Sequence, residues 1–135
     1  MTNDEVLGIF KKTGGYITGS HIVYTSGKHG EVYLNKDAIY PHTYDISQIC
    51  LEMAERFKDK EIDIVAAPAL GGIILSQWTA YHLSKLTNRE VLGIYTEKTP
   101  EKNQIFTRGY DKLIKGKKVL IVEDITTTGG SVKKV

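Results

Sequence analysis

The sequence has 135 residues, enough for one compact domain with its own core. Its 41% hydrophobic and 25% charged residues are those of an ordinary globule and exclude a disordered polar tail. The 18 Lys and Arg against 16 Asp and Glu leave a net charge of +2, too little to argue for nucleic acid as the main partner. One cysteine, Cys50, excludes an internal disulfide framework and any multi-cysteine zinc site. No apolar run approaches the ~20 residues that span a bilayer. The opening M-T-N-D-E-V-L lacks the basic and apolar stretches of a secretory signal, so the expected compartment is the cytosol.

Taken in chain order, Asn3-Asp4-Glu5 ahead of Val6, Leu7, Ile9 and Phe10 predicts a short capped helix ending at Gly14-Gly15. Ile22-Val23-Tyr24 and Glu31-Val32-Tyr33-Leu34 predict short extended runs, split by a turn at Ser26-Gly27. From Thr43 the spacing of Ile46, Ile49, Cys50, Met53, Ala54 and Phe57 is helical, with one apolar face. Ile62 to Ala67 is nearly all apolar and suits a strand covered on both faces. Gly71-Gly72 then opens a long helix over about 73–86, and Val91 to Tyr95 is a second such strand. Thr96 to Lys115 is polar and reads as a loop. Val119 to Val122 is a third strand, and Gly129-Gly130-Ser131 opens another helix. Strand, helix, strand, loop, strand, helix implies an α/β domain with a parallel sheet. The last helix has barely one turn by Val135, and three core strands make a small sheet. The expectation is therefore a chain whose C-terminal strands are missing.

The stretch Val119-Leu120-Ile121-Val122-Glu123-Asp124-Ile125-Thr126-Thr127-Thr128-Gly129-Gly130-Ser131 carries the chemistry. Four apolar residues place it inside a sheet, and in open α/β sheets ligands bind at the carboxyl ends of the strands. Glycines let main-chain N–H groups approach an anion, and a following helix N-terminus adds partial positive charge. The hydroxyls of Thr126, Thr127, Thr128 and Ser131 add donors. Glu123 and Asp124 repel phosphate; they suit sugar hydroxyls, or a cation that the phosphate brings with it. A phosphate cradle beside two acids describes a ribose 5-phosphate site. Each half alone is ordinary, since Thr-Gly-Gly-Ser turns commonly just join strand to helix and paired acids are commonly solvated. The sequence contains neither a Walker A loop nor G-x-G-x-x-G.

These thirteen residues, Val119–Ser131, resemble the signature of the type I phosphoribosyltransferases. Three more stretches carry a resemblance to the orotate-using branch of that family. His21-Ile22-Val23-Tyr24-Thr25-Ser26-Gly27-Lys28-His29, running on to Tyr33 and Lys36, is similar to its N-terminal hood segment. Ala67-Pro68-Ala69-Leu70-Gly71-Gly72-Ile73-Ile74 is similar to its pyrophosphate-binding loop, and Phe106-Thr107-Arg108-Gly109-Tyr110 to the end of its mobile loop.

The resemblance implies the type I phosphoribosyltransferase fold: a parallel sheet flanked by helices, with a small N-terminal hood over residues 1–42 and an α/β core over 43–135, together one domain. It implies transfer of the 5-phosphoribosyl group of phosphoribosyl pyrophosphate to orotate, with Mg2+ carried by the pyrophosphate and a homodimer as the working form. Glu123 and Asp124 are expected to hold the ribose hydroxyls. Thr126 to Ser131, including Gly129 and Gly130, would hold the 5-phosphate, with Thr127 nearest the base and Ile125 counted among the substrate-binding residues. Leu70, Gly71 and Gly72 would offer main-chain N–H groups to pyrophosphate. Lys98, Lys102 and Arg108 would close over the site, Lys36 would reach it from the hood, and Lys98, Lys102 and Asp124 are the expected catalytic residues. Leu70-Gly71 stand where many members have a lysine, and Asn103-Gln104-Ile105 where many have a histidine with glycines, which leaves the general acid unassigned. His29 is a candidate hood residue. His21, His42 and His82 read as structural; Trp78, Tyr81 and Leu83 as core or subunit contact; and Cys50 as buried packing. A different base on the same scaffold, or a non-catalytic sensor of phosphoribosyl pyrophosphate, are the alternatives. The hood stretch argues against the first, and the lack of a DNA-binding segment against the second.

Overall fold

The structure is a computed structural model that describes every residue except Thr25, Lys102, Thr126, Thr127, Thr128 and Ser131. It divides into two compact units, residues 1–49 and 50–135.

The first unit opens with helix α1 (Asn3–Lys12), capped by Thr2 rather than by Asn3. The Thr2 hydroxyl accepts from the Glu5 N–H at 3.3 Å, and the Thr2 N–H donates to the Glu5 carboxylate at 2.6 Å. Two orphan donors of the first turn are thereby satisfied at once. Lys12 Nζ lies 2.9 Å from both oxygens of the buried Asp45, at the start of helix α2 (Thr43–Phe57). Strands β1 (Tyr16–Val23) and β2 (His29–Leu34) pair antiparallel from Tyr16↔Leu34 to Val23↔His29, with a register shift between Thr18 and Ile22. The Tyr24 ring occupies the space a Cβ on Gly30 would need, and its hydroxyl donates to the Val32 carbonyl at 2.6 Å. β1 is longer than its sequence suggests. Thr18-Gly19-Ser20 carries no strand signal, because this ribbon is exposed along most of its length and no buried face imposes alternation.

In the second unit, β3 (Ile64–Pro68) is buried at every position and lies between two parallel neighbours. β4 (Leu92–Lys98) pairs with it from Ile64↔Leu92 to Pro68↔Thr96, and β6 (Val119–Ile121) from Ile64↔Val119 to Ala66↔Ile121. The expected parallel core is present, but the sheet is mixed. A fourth strand, β5 (Gln104–Ile105), runs antiparallel to β4 at the edge, giving the order β5-β4-β3-β6. It lies in the segment read from sequence as loop, and helix α4 (Asp111–Ile114) follows it.

Successive side chains of β3 point to opposite faces, so both need cover. Helix α3 (Gly71–Thr87) packs on β3 and β4, and Gly72 meets Ala67 so closely that a Cβ there would stand 2.7 Å from the Ala67 Cβ. Against Ile64, Ala66 and Ile94 pack Phe106, Tyr110, Ile114, Val119 and Val135. The polar 96–115 segment therefore supplies apolar side chains to the core. Where a new helix was expected after Gly130, Val132–Lys134 form one 3-10 turn. Among the described residues no helix is long and apolar enough to cross a membrane.

At the amino-terminal edge of the sheet Asp63 ties the strands together. Its carboxylate accepts from the Lys118 N–H at 2.9 Å and from Arg89 Nη1 at 3.0 Å, while Arg89 Nη2 donates to the Ile62 carbonyl at 2.5 Å. Those bonds hold the Asp63 carboxyl below its ordinary value, the Lys118 N–H contributing most. This edge is structural and leaves the opposite edge for chemistry.

Candidate functional site

The chain climbs β3, crosses through α3 to β4 on one side, and later returns to β6 on the other side of β3. The connection out of β3 and the return into β6 therefore place their strands on opposite sides of β3. That switch point is where an open α/β sheet forms a crevice for a ligand.

From β3 comes Pro68-Ala69-Leu70-Gly71-Gly72, with the first turn of α3 at the strand's end. Leu70 precedes the helix without a side-chain cap, and it is 83% exposed. A helix of 17 residues whose N-cap side chain accepts from none of its first N–H groups presents positive partial charge at this edge. Gly72 satisfies a packing need as well, since any side chain there would strike β3.

From β6 the ladder runs one bond past the strand, the Val122 N–H donating to the Ala66 carbonyl at 2.9 Å. Glu123 and Asp124 follow at once, both half-buried. The Asp124 N–H donates to Glu123 Oε1 at 3.2 Å, and the Ile125 N–H to Asp124 Oδ1 at 2.9 Å. Each carboxylate thus fixes its neighbour's main chain through one oxygen. Gly129 takes a left-handed φ of 73°, and its carbonyl accepts from the Lys133 N–H at 3.0 Å. Thr126, Thr127, Thr128 and Ser131 lie outside the described residues.

From β4 comes a hairpin rather than an open loop. β5 pairs back through Glu97↔Ile105 and Lys98↔Gln104, and the turn closes with the Thr99 N–H donating to the Asn103 carbonyl at 2.9 Å. Lys98 is exposed at its start, and Lys102 lies outside the described residues. Arg108 has a left-handed φ of 60° and places Nη2 3.0 Å from Glu97 Oε1, with its guanidinium 5.9 Å from the Tyr95 ring centroid. The Thr107 hydroxyl donates to the other Glu97 oxygen. These two bonds, Thr107's above Arg108's, hold the Glu97 carboxyl below its ordinary value, and Glu97 in turn pushes the Arg108 guanidinium up. Sequence reasoning singled out Arg108 and missed Glu97, its partner across the hairpin. The separation of 11 residues is legible only once β5 folds back on β4.

The structure thus gathers Leu70, Gly71, Gly72, Glu123 and Asp124 onto adjacent strand ends, with Lys98 and Arg108 at the end of β4 on the far side of β3. Lys36 begins a single 3-10 turn, Lys36–Ala38, in the first unit. His29, read as a lone histidine, is paired: its Nδ1 lies 2.6 Å from His21 Nε2. His82 stacks on Trp78 with ring centroids 6.0 Å apart. Leu83 is buried, whereas Tyr81 is half-exposed and lies edge-on to Trp78. Cys50 is fully buried, and burial pushes its thiol up to about 11. Among the described residues no three His, Cys, Asp or Glu side chains converge to hold a metal ion.

Residues 35–135 match the family model described as phosphoribosyl transferase domain. The whole chain aligns with proteins named orotate phosphoribosyltransferase from Desulforamulus reducens at 37% identity, Pelotomaculum thermopropionicum at 39% and a Thermoanaerobacter strain at 40%. The chain spans 66% of the length of each of these relatives. Among solved structures, an orotate phosphoribosyltransferase from Aeropyrum pernix superposes with a TM-score of 0.63 at 21% identity, covering 96% of this chain and 70% of that one. One from Mycobacterium tuberculosis gives 0.66 at 18%, with the same coverage of 96% and 70%. These likenesses support the fold.

Proposed function

The chain belongs to the phosphoribosyl transferase family, and on that premise we propose that it transfers the 5-phosphoribosyl group of phosphoribosyl pyrophosphate to orotate. The products are orotidine 5′-monophosphate and pyrophosphate. One observation carries the reading. A helix N-terminus follows β3 and paired carboxylates follow β6, at the carboxyl ends of two neighbouring parallel strands. That pairing suits a ligand with anionic groups and sugar hydroxyls together. The choice of orotate as base follows the names of relatives that align over 99–100% of the chain at 34–40% identity.

The anomeric carbon passes through an oxocarbenium-like state while negative charge grows on the departing pyrophosphate, so catalysis consists of positioning and electrostatic support. On this reading the N–H groups of Gly71 and Gly72, at the head of α3, take up that charge, and Leu70 shapes the entry. Glu123 and Asp124 accept from the ribose hydroxyls. Thr126 to Ser131 wrap the 5-phosphate, with Thr127 nearest the base and Ile125 beside them in the substrate site. Lys98, Lys102 and Arg108 approach from the β4 side, where Arg108 exchanges Glu97 for a phosphate oxygen. Lys36 comes from residues 1–42, read as the hood. Mg2+ arrives with the pyrophosphate as part of the substrate. A cytosolic homodimer completes the proposal.

The test is the fall in orotate absorbance on adding phosphoribosyl pyrophosphate and Mg2+, run on this chain and on one extended past Val135. Activity with adenine or hypoxanthine but not with orotate refutes the choice of base. Calorimetry with phosphoribosyl pyrophosphate tests the acids. Asp124→Asn should weaken binding by about 1–3 kcal/mol through loss of charge-assisted hydrogen bonds, and unchanged affinity refutes their placement.

A further inference from the structure

Strand β4 changes partners at Thr96. Its parallel pairing with β3 ends at Pro68↔Thr96, and its antiparallel pairing with β5 begins at Glu97↔Ile105. Thr96 is fully buried at this junction and bonds in both directions. Its carbonyl accepts from the Ala69 N–H at 3.0 Å, one residue past the end of β3 and one before Leu70. Its hydroxyl donates to Gln104 Oε1 at 2.9 Å. Gln104 stands opposite Lys98, so Thr96 lies on its diagonal, within reach of a long side chain. Alternation puts Thr96, Lys98 and Gln104 on one face of the hairpin. Glu97, bonded to Thr107 and Arg108, takes the other.

We propose that Thr96 is a positioning residue, through which the β4–β5 hairpin and the loop Ala69–Gly72 are held in one fixed register. β5 has two residues, too few ladder bonds to hold a strand by themselves. Gln104 pins β5 to a residue already seated against β3. A buried hydroxyl left unpaired costs more than its bond contributes, so Thr96 favours the one placement of Gln104 that satisfies it. On the other side, the Ala69 N–H makes the last ladder bond before the chain turns into α3. The next fixed point is Gly72, packed on Ala67. Leu70 and Gly71 lie between those two anchors, so a shift of β4 at Thr96 moves the first of them. The bearing on catalysis rests on the proposed transfer, in which the Gly71 and Gly72 N–H groups and Lys98 meet the same pyrophosphate. Thr96 then sets the distance between their supports, and a misplacement of about 1 Å in such an arrangement costs about a hundredfold in rate.

The test is amide hydrogen exchange of the full chain, followed by NMR at neutral pH in the parent, T96V and T96S. T96V keeps the branched shape and loses the donor; T96S keeps the donor. In T96V the amides of Gln104, Ile105 and Ala69 should exchange about fivefold faster or more, the worth of one net hydrogen bond, and T96S should restore the parent rates. Helix α1 is the control and should not change. Faster exchange confined to the hairpin, with Ala69 at the parent rate, overturns the coupling, as does an unchanged hairpin. Q104M breaks the same bond from its half-buried side and gives the same reading if T96V does not fold. Titration calorimetry with magnesium pyrophosphate reads the site itself, at a temperature where every variant is folded. T96V and Q104M should bind about fivefold more weakly or worse, with T96S restored, and equal affinity overturns the positioning role. A parent that binds no pyrophosphate refutes the transferase reading instead, and exchange at Ala69 still decides the coupling.

Discussion

Gly72→Ala should destabilise this protein even though alanine is the better helix former. A Cβ at position 72 would stand 2.7 Å from Ala67 Cβ, 3.5 Å from Pro68 Cδ and 3.6 Å from the Ala67 carbonyl carbon. Ordinary carbon–carbon contact is about 3.5–4.0 Å, so roughly 1 Å must open between helix and strand. Ala67 is completely buried at the centre of the sheet, and a Cβ has no rotamer by which to retreat. The backbone of α3 or β3 must yield. Overpacking of this kind costs about 1–3 kcal/mol, while alanine over glycine in a helix returns at most about 1 kcal/mol. The net loss should be about 1–2 kcal/mol, a fall in Tm of several degrees. Gly8→Ala is the internal contrast. It makes the same chemical change inside α1, nothing stands within 4 Å, and it should stabilise by about 0.5–1 kcal/mol. Urea unfolding followed by circular dichroism, compared at unchanged m, reads both. A Gly72→Ala midpoint at or above the parent's refutes the close approach of α3 to β3.

Acid should weaken the fold through Asp63 and Glu97. Both carboxyls are held below their ordinary values of 3.8 and 4.5, so the stability they contribute is present above those values and is lost as pH falls through the lower, folded ones. Asp63→Asn should flatten the fall of Tm with pH below 3.8, and an equally steep fall refutes the staple. Glu97→Gln should loosen the β4–β5 hairpin, read as faster limited proteolysis over residues 99–110; an unchanged cleavage rate refutes Glu97 as its anchor. Cys50, pushed up to about 11 by burial against a weaker opposing hydrogen bond from Thr79, should resist a disulfide reagent at pH 8 until the chain unfolds. For the same reason stability should decline as pH rises above 9.0, where the unfolded thiol ionises and the folded one does not. Rapid labelling of the native chain refutes its burial.

Legibility in the sequence followed burial. β3 announces itself as an unbroken apolar run because it is covered on both faces, and α2 by its one apolar stripe. β1 does not, because an exposed ribbon has no inside to pattern. The 96–115 segment misled for a different reason. Phe106, Tyr110 and Ile114 are spaced at helical intervals of four, yet they lie just after β5, in a turn and in a one-turn helix, and the charges between them gave a polar average. Averaging hides a segment that touches the core at three points. The candidate site was legible at Leu70–Gly72 and Glu123–Asp124, where glycines and acids interrupt apolar strands. Glu97 was not, since its role depends on β5 pairing back across it.

The division of labour between neighbouring strands answers an electrostatic difficulty. Carboxylates and phosphates repel, so one loop bearing both acids and anion donors would work against itself. Here the helix N-terminus sits on β3, and the acids sit on β6, each pinning main-chain N–H groups through one carboxylate oxygen. The strands' hydrogen-bond spacing of about 4.8 Å separates the two chemistries by roughly the width of a sugar ring. A ligand carrying anionic groups at one end and hydroxyls at the other can satisfy both; a bare polyphosphate would meet the acids unshielded unless it brought a cation. The same logic explains the state of Arg108. Lying beyond β3 from the acids, its guanidinium needs a local anion, and Glu97 supplies one at 3.0 Å. In the proposed reaction a phosphate oxygen must displace that carboxylate. The salt bridge then sets the threshold an anionic substrate has to exceed before the β4 side can close.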